Sequence, residues 1–234
     1  MNDDINSLLE IGSSNQPNNI PTGEYHYTKD PSSLTNLIKV LLIISLFVSI
    51  VSIISDIMQI NLLGTFNYSQ SEAEANDARQ LIIALISIGV FIITGIFFLI
   101  WIYRANSNCH GFTTGNMEFT PGWSVGWYFI PFANLYKPYR VMKEIWNVSD
   151  NPDHWQSQSS SPLLVSWWTL WLLSGFFGQL SFRLSMGAHT ISALKTATTI
   201  SILSGLINIP LDIICIVLIS AIFAKQEKLV KKIT

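Results

Sequence analysis

The sequence predicts an all-α integral membrane protein with four transmembrane helices and a cytoplasmic-side interfacial or re-entrant aromatic segment. The prediction rests first on four long apolar stretches, at residues 40–60, 81–103, 163–182 and 200–223. In an α-helix, about 20 residues reach across a hydrocarbon core of roughly 30 Å. The composition agrees, because hydrophobic residues make up 49% of the chain, charged residues only 12%, and the mean hydropathy is +0.39.

Composition excludes several other classes of protein. A formal net charge of −2 gives no reason to expect nucleic-acid binding. Cys109 falls in a polar connection and Cys215 inside a span, so a disulfide framework is not expected. Residues 1–33 are rich in Asn, Ser, Pro and Gly and are predicted to be a disordered polar tail. Residues 34–234 are predicted to form a single membrane domain.

Charge asymmetry predicts the orientation of the spans. With four crossings, the N-terminal tail, the middle connection and the C-terminus share one side, which carries 10 of the 13 Lys and Arg residues. The positive-inside rule places that side, and therefore both termini, in the cytoplasm.

The aromatic segment at residues 123–146 raises the question of a fifth crossing. Its apolar part, residues 123–135, is shorter than a span and contains Pro131, which is typical of an interfacial or re-entrant element. A crossing here would also reverse the charge bias. The sequence therefore predicts a proline-broken hairpin and a short helix that return to the cytoplasmic side.

Within this segment, candidate headgroup contacts come from Trp123, Trp127, Lys137, Arg140 and Lys143. Tryptophan rings favour the membrane interface, where an apolar body and a polar N–H are both accommodated. The three cations lie on the same short helix as an apolar face, beside or opposite that face. Two interpretations stay open: an in-plane amphipathic helix on an anionic leaflet, or a helix packed under the bundle with its basic residues solvated.

The same region carries a family resemblance. The quoted motifs are WIYRAN (101–106), GWSVGWYFIPFANL (122–135), KP (137–138), MKEIW (142–146) and WW (167–168). In this order they resemble the bacterial membrane-protein family catalogued as domain of unknown function 4328, over roughly residues 81–225. The resemblance implies a bacterial multi-span protein and brings no reaction, ligand or catalytic residue. We expect such a protein to lie in the cytoplasmic (inner) membrane.

Three spans carry small and polar residues at helical spacing. These stripes are Ser45, Ser49, Ser52, Asp56 and Gln59; Ser174, Gly178, Ser181 and Ser185; and Ser201, Gly205, Asn208, Asp212 and Cys215. Small residues on one face let neighbouring helices approach closely in a membrane.

Ionisable and helix-breaking residues within the spans define two candidate sites. Asp212, Asn208 and Pro210 form a candidate polar intramembrane site, which suits either a broken-helix binding site or a kink stabilised by an internally bonded Asp. Asp56 and Arg183 lie at similar depth and form a candidate ion pair, although an arginine extending to the interface is the alternative.

The functional expectation is a non-enzymatic membrane interaction or assembly protein. Its expected partners are the lipid bilayer and a second copy or other membrane proteins. No motif for a nucleophile, a cofactor or a metal is found in the sequence, so no catalytic residue is assigned. The alternative is a small-solute or proton pathway that uses the polar site around Asp212.

Overall fold

The computed structural model describes residues 25–65, 67–113 and 115–231, and over these ranges the chain is helical, with no strand. We number its α-helices α1 (Ser32–Gly64), α2 (Gln70–Phe112), α3 (Pro121–Gly126), α4 (Lys137–Asp150), α5 (Pro162–Met186) and α6 (Ile191–Lys231). Short 3₁₀ helices occupy Trp127–Phe129, Ala133–Leu135 and Trp155–Ser157.

Four of these helices, α1, α2, α5 and α6, are long and apolar enough to cross a membrane, which confirms the predicted number. Each extends beyond its predicted span, because polar residues continue the helix past the apolar stretch. At the start of α2, the Ser69 side chain accepts from the backbone N–H of Glu72, and the Glu72 carboxylate accepts from that of Ser69. Such a capping box begins the helix well before its apolar part.

The long helices pack in the order α2, α1, α6, α5, so that α1 and α6 are central. One end of this bundle, here called the proximal end, holds the starts of α1 and α5 and the ends of α2 and α6. Contacts between Trp101 and Thr35, and between Asn108 and Gln226, join these termini. The opposite end is called the distal end.

The best-packed core lies at the proximal end, around α4. This helix contacts α2, α5 and α6, and its apolar side chains Val141, Met142, Ile145 and Val148 are completely buried there. The structure therefore supports the second interpretation of this segment, a helix packed under the bundle. The in-plane interpretation is corrected, because the apolar face that would enter a bilayer is already covered by the protein's own helices.

Ordered structure begins earlier than the predicted boundary of the tail. Residues 25–31 run along the end of α2, where the Lys29 N–H donates to Asn108 Oδ1 at 3.0 Å. The Tyr25 ring meets Phe112 edge to face. The prediction of disorder is thus corrected for residues 25–33, whereas residues 1–24 lie outside the described part of the chain.

The small-residue stripes face one another inside the bundle. Between α5 and α6, the Ser174 hydroxyl donates to Asn208 Oδ1, and Gly178 lies against Ser204. Between α1 and α6, Gln59 Nε2 donates to Thr198 Oγ1 at 2.7 Å. The stripes are therefore used for packing within this chain.

Candidate functional site

An irregular segment at the proximal end, residues 121–136, connects α2 to α4, and we call it the aromatic hairpin. The Thr120 hydroxyl caps α3 by accepting from the Trp123 N–H at 3.4 Å, and Pro121 suits the first helical turn. The chain then continues into a 3₁₀ helix and becomes extended at Ile130 (φ −94°, ψ 117°). This conformation is imposed by Pro131, because a proline disfavours helical backbone at the preceding residue.

Phe132 forms the tip of the hairpin in a strained conformation. Its φ is 63° and its ψ −42°, and it is the one non-glycine residue with positive φ among those the structure describes. The Ala133 N–H donates to the Pro131 carbonyl at 2.8 Å, which closes a three-residue γ-turn. Turns of this type with positive φ are rare and strained. The Phe132 side chain is nevertheless 83% exposed, so the core gains little from it.

The hairpin lies beside the apolar part of α5. Trp168 Nε1 donates to the Leu135 carbonyl at 3.2 Å, and the Tyr128 ring meets Trp171 edge to face at 6.4 Å. Along α5, Trp171 is about 12 Å beyond Leu163, where the predicted span begins. The hairpin therefore runs alongside this span.

Much of the hairpin's apolar surface is uncovered. Phe129 is 72% exposed, and Trp123, Leu135 and Tyr136 are also exposed. Of the two predicted headgroup tryptophans, Trp123 packs against the half-buried Trp127 in a tilted arrangement, with ring centroids 4.8 Å apart. The indole nitrogen of Trp127 is buried without a hydrogen-bond partner.

The predicted headgroup cations lie close to the hairpin, but two of them are already paired. Lys137 and Arg140 bind the carboxylate of Glu118 at 3.4 Å and 2.6 Å. The Lys137 ammonium also lies 5.1 Å from the centroid of the Trp127 ring, within the range of a cation–π interaction. Lys143 is half-buried on α4. Glu118 therefore neutralises part of the positive charge that the sequence assigned to lipid headgroups.

A buried carboxylate, Glu144, fixes the loop that precedes the hairpin. It accepts from the backbone N–H groups of Glu118 at 2.5 Å and Phe119 at 3.2 Å. Burial raises the pKa of the Glu144 carboxyl, and the two backbone hydrogen bonds oppose this rise. Glu144 was not among the predicted site residues, although an acid next to the apolar face of a short helix was the available signal.

The polar residues predicted on α6 all lie in its contacts with neighbouring helices. Asn208 is bonded by Ser174 of α5, as described above. Asp212 faces the Ser45 hydroxyl of α1, and its Oδ2 atom is buried without a hydrogen-bond partner. Pro210 lies inside a single helix that continues to residue 231. The structure thus brings the three residues to one stretch of the bundle without breaking the helix.

The candidate ion pair is corrected by the structure. No ion pair between Asp56 and Arg183 occurs in the part of the chain that is described, and Arg183 is exposed on α5. Asp56 instead accepts from Gln80 Nε2 at 3.4 Å and lies beside the Ser201 hydroxyl. The nearby cation is Arg79, which sequence reasoning missed because it lies in the polar first turns of α2.

Gln226 is a third residue that could not be selected from the sequence. It is buried at the proximal end, where its Nε2 donates to the Ala105 carbonyl at 3.2 Å and to Ser149 Oγ at 3.1 Å. In the sequence it lies among the lysines of the C-terminus and resembles part of a solvated tail. Gln226 is buried because α4 packs against α2 and α6, and this packing is known only from the structure.

Within residues 25–65, 67–113 and 115–231, no group of three or more His, Cys, Asp or Glu side chains is placed to hold a metal ion. Cys109 and Cys215 are buried free thiols.

Comparison with known proteins decides the family. The profile described as "Domain of unknown function (DUF4328)" matches residues 65–224, which is more than half of the chain. The chain belongs to this family. The resemblance predicted from the motifs around the hairpin is thereby confirmed. No curated protein and no solved structure matches the chain. The DUF4328 match begins after α1 and includes the hairpin, α4, α5 and most of α6.

Proposed function

We propose that this DUF4328 protein is a non-enzymatic membrane protein whose aromatic hairpin docks onto another membrane protein or a second copy of the chain. The observation that carries the proposal is the exposed, strained turn at Phe132 beside the apolar part of α5. Two features support the proposal. Irregular backbone is unfavourable where it is exposed to lipid, and the backbone at Phe132 is strained.

The first support is the backbone of the hairpin. Local bonds, such as Asn134 N–H to the Ile130 carbonyl at 3.0 Å, satisfy part of it. Within the hydrocarbon region, however, irregular backbone is tolerated only where protein or a water-filled cavity covers it. A single chain leaves Phe129 and Phe132 largely uncovered. A docked protein surface supplies the missing cover.

The second support is the position of the strain. Strained backbone persists where surrounding structure or function requires it. Because the Phe132 side chain makes little contact with the core, its conformation does not serve packing within the chain. The γ-turn presents an apolar ring outward, as a contact with a partner requires.

The small-residue stripes no longer support association. They motivated the expectation from sequence, but Gln59, Gly178, Ser174 and Asn208 are engaged inside the bundle. The proposed docking surface is therefore the hairpin and not a helix stripe.

We further propose that the protein lies in a bacterial cytoplasmic membrane with its proximal end and both termini in the cytoplasm. The excess of Lys and Arg in the tail, the middle connection and the C-terminus supports this orientation. The hairpin then enters the bilayer from the cytoplasmic leaflet.

Site-specific photocrosslinking in native membranes tests the docking surface. A photoreactive amino acid replaces Phe132 and, as a matched control, Phe91, a phenylalanine of similar exposure (77%) on the apolar face of α2. We expect a discrete protein adduct from position 132 and only lipid adducts from position 91. Exclusively lipid adducts at both positions would contradict the proposal.

A second candidate function is a small-solute or proton pathway around Asp212. The Oδ2 atom of Asp212 supports this candidate, because it is buried without a hydrogen-bond partner. Burying a carboxylate oxygen in this way costs free energy, and a bound proton or solute would supply the missing partner. Reconstitution in proteoliposomes tests it with Asp212→Asn, which keeps the side-chain shape. Proton and solute fluxes that are the same for wild type and variant would remove this candidate.

A further inference from the structure

A chamber of about 460 Å³ opens at the distal end of the bundle. It lies between α2 and the α5–α6 pair, and α1 contributes its floor. Its lining is polar on the floor and partly apolar on the walls: Asp56, Gln59, Asp77, Gln80, Leu81, Ala84, Ser185, Leu194, Thr198 and Ser201. The volume falls in the range of small-molecule sites, which is roughly 300–1,000 Å³.

The floor of the chamber holds a buried carboxylate that forms no direct ion pair with a described residue. Asp56 is only 8% exposed, and within the described residues it takes part in no ion pair. Arg79 is the nearby cation and attracts the Asp56 carboxylate through space, but its hydrogen bonds go to neutral groups, Ser55 Oγ at 3.0 Å and Asn76 Oδ1 at 2.6 Å. Buried charges in proteins are normally paired or bind a ligand.

The arrangement around Asp56 holds its carboxylate in place. Gln80 of α2 donates to it at 3.4 Å, and the Ser201 hydroxyl of α6 lies beside it. Gln59 beside it is fixed in turn by Thr198 at 2.7 Å and Asn76 at 3.1 Å. Three helices therefore position one acceptor group, so that a ligand needs little rearrangement of the protein to bind.

The lining also limits the chemistry of a ligand. Asp56 and Asp77 are the ionisable residues of the lining, and both are acidic. The described residues offer no set of three His, Cys, Asp or Glu ligands for a metal ion. Leu81, Ala84 and Leu194 add apolar walls. These features fit an ammonium group attached to a short aliphatic body better than a bare metal ion.

We propose that the distal chamber binds a small organic cation of the primary alkylammonium class, with its ammonium group on the Asp56 carboxylate and its carbon chain against Leu81, Ala84 and Leu194. Asp77, which is exposed, attracts the cation to the chamber. The chamber and the hairpin lie at opposite ends of the bundle. Binding of a cation in the chamber therefore does not depend on the proposed docking function of the hairpin.

Binding of n-butylamine to the full chain purified in detergent tests the proposal, with the neutral isostere 1-butanol as the control ligand. We expect saturable binding of n-butylamine and none of 1-butanol. Asp56→Asn should weaken amine binding by about tenfold or more, as the loss of a hydrogen bond to a charged group predicts. Asp153→Asn, an exposed aspartate at the proximal end, is the matched control and should bind as the wild type does.

A second variant keeps the test informative if Asp56→Asn folds poorly. Ala84 is exposed on the chamber wall, so Ala84→Trp should fill the space and reduce amine binding while both carboxylates stay in place. Equal binding of 1-butanol, full binding by Asp56→Asn or Ala84→Trp, or no binding of n-butylamine to the wild type would each overturn the proposal.

Discussion

Gly205 of α6 and Ile53 of α1 lie in such close contact that a side chain at position 205 has no room. A Cβ atom built on Gly205 would lie 2.8 Å from Ile53 Cγ1. Two polar pairs lie on either side of it along the α1–α6 interface. Asp56 and Ser201 are the pair on the distal side, and Ser45 and Asp212 are the pair on the proximal side. It is the point at which α1 and α6 close the bundle beneath the distal chamber.

Gly205→Ala should therefore destabilise the protein. The added methyl group forces Ile53 or the α1 backbone to move, and overpacking of this kind costs typically about 1–3 kcal/mol. Gly175→Ala on α5 is the control, because nothing lies within 4 Å of the added atom, and replacing a helical glycine by alanine is otherwise favourable. Thermal unfolding in detergent should show a lower transition for Gly205→Ala only. Equal transitions would contradict the tight α1–α6 contact.

Phe132→Gly should raise stability and reduce association. Glycine adopts positive φ without the steric cost that a phenylalanine bears, so the free energy of unfolding should rise by about 1 kcal/mol. The same change removes the exposed ring. Thermal unfolding and crosslinking from a neighbouring hairpin position measure the two effects. A variant that is less stable, or that still crosslinks fully, would be inconsistent with a strained docking turn.

The number of long helices could be predicted from sequence because an apolar stretch of this length has few alternatives in a folded protein. The residues 81–103, for example, appear in the structure as the central part of α2. The helix ends were less accessible, because the capping box at Ser69 lies in a polar region that carries no hydropathy signal. The continuity of α6 across Pro210 was also left open, since a proline allows either a kink or a break.

The sites were harder to predict because they depend on which helices are neighbours. Asp56 and Arg183 match in depth, but depth alone does not place α1 beside α5. The order α2, α1, α6, α5 gives Asp56 its neighbours Gln80 and Ser201 instead. For the same reason Gln226, which is buried by the docking of α4, could not be distinguished from a solvated residue, whereas Glu144 carried one signal, its place beside the apolar face of a short helix.

Trp168→Phe should loosen the hairpin without disturbing the aromatic stack. The phenylalanine keeps a ring against Trp171, whereas the bond from Trp168 Nε1 to the Leu135 carbonyl is lost. The loss of one buried hydrogen bond costs about 1 kcal/mol. Limited proteolysis should therefore cut the hairpin faster in this variant than in Trp171→Phe, which retains the bond. Equal rates of cleavage would show that the bond does not hold the hairpin.

Glu144 should make stability depend on pH. Since burial raises its pKa in the folded state, its contribution is complete below the unfolded pKa and is lost as pH rises through the folded pKa. Glu144→Gln does not titrate at this position and serves as the reference. The unfolding temperature of the wild type relative to Glu144→Gln should therefore be higher at about pH 4.5 than at about pH 8. A difference that is constant or grows with pH would exclude a raised pKa.

We expect the chain between α2 and α5 to enter and leave the membrane on one side, and both of the functions proposed for the two ends of the bundle depend on this topology. It is tested most directly by single cysteines at the exposed positions Asn116 and Asp153, which flank the hairpin and α4, with Ser71 at the distal end as reference. The buried Cys109 and Cys215 are first replaced by serine. With a membrane-impermeant thiol reagent on intact cells, we predict labelling of the Ser71→Cys variant only, and labelling of the Asn116→Cys and Asp153→Cys variants once the cells are opened. Labelling of the Asn116→Cys and Asp153→Cys variants from opposite sides of the membrane would contradict the account.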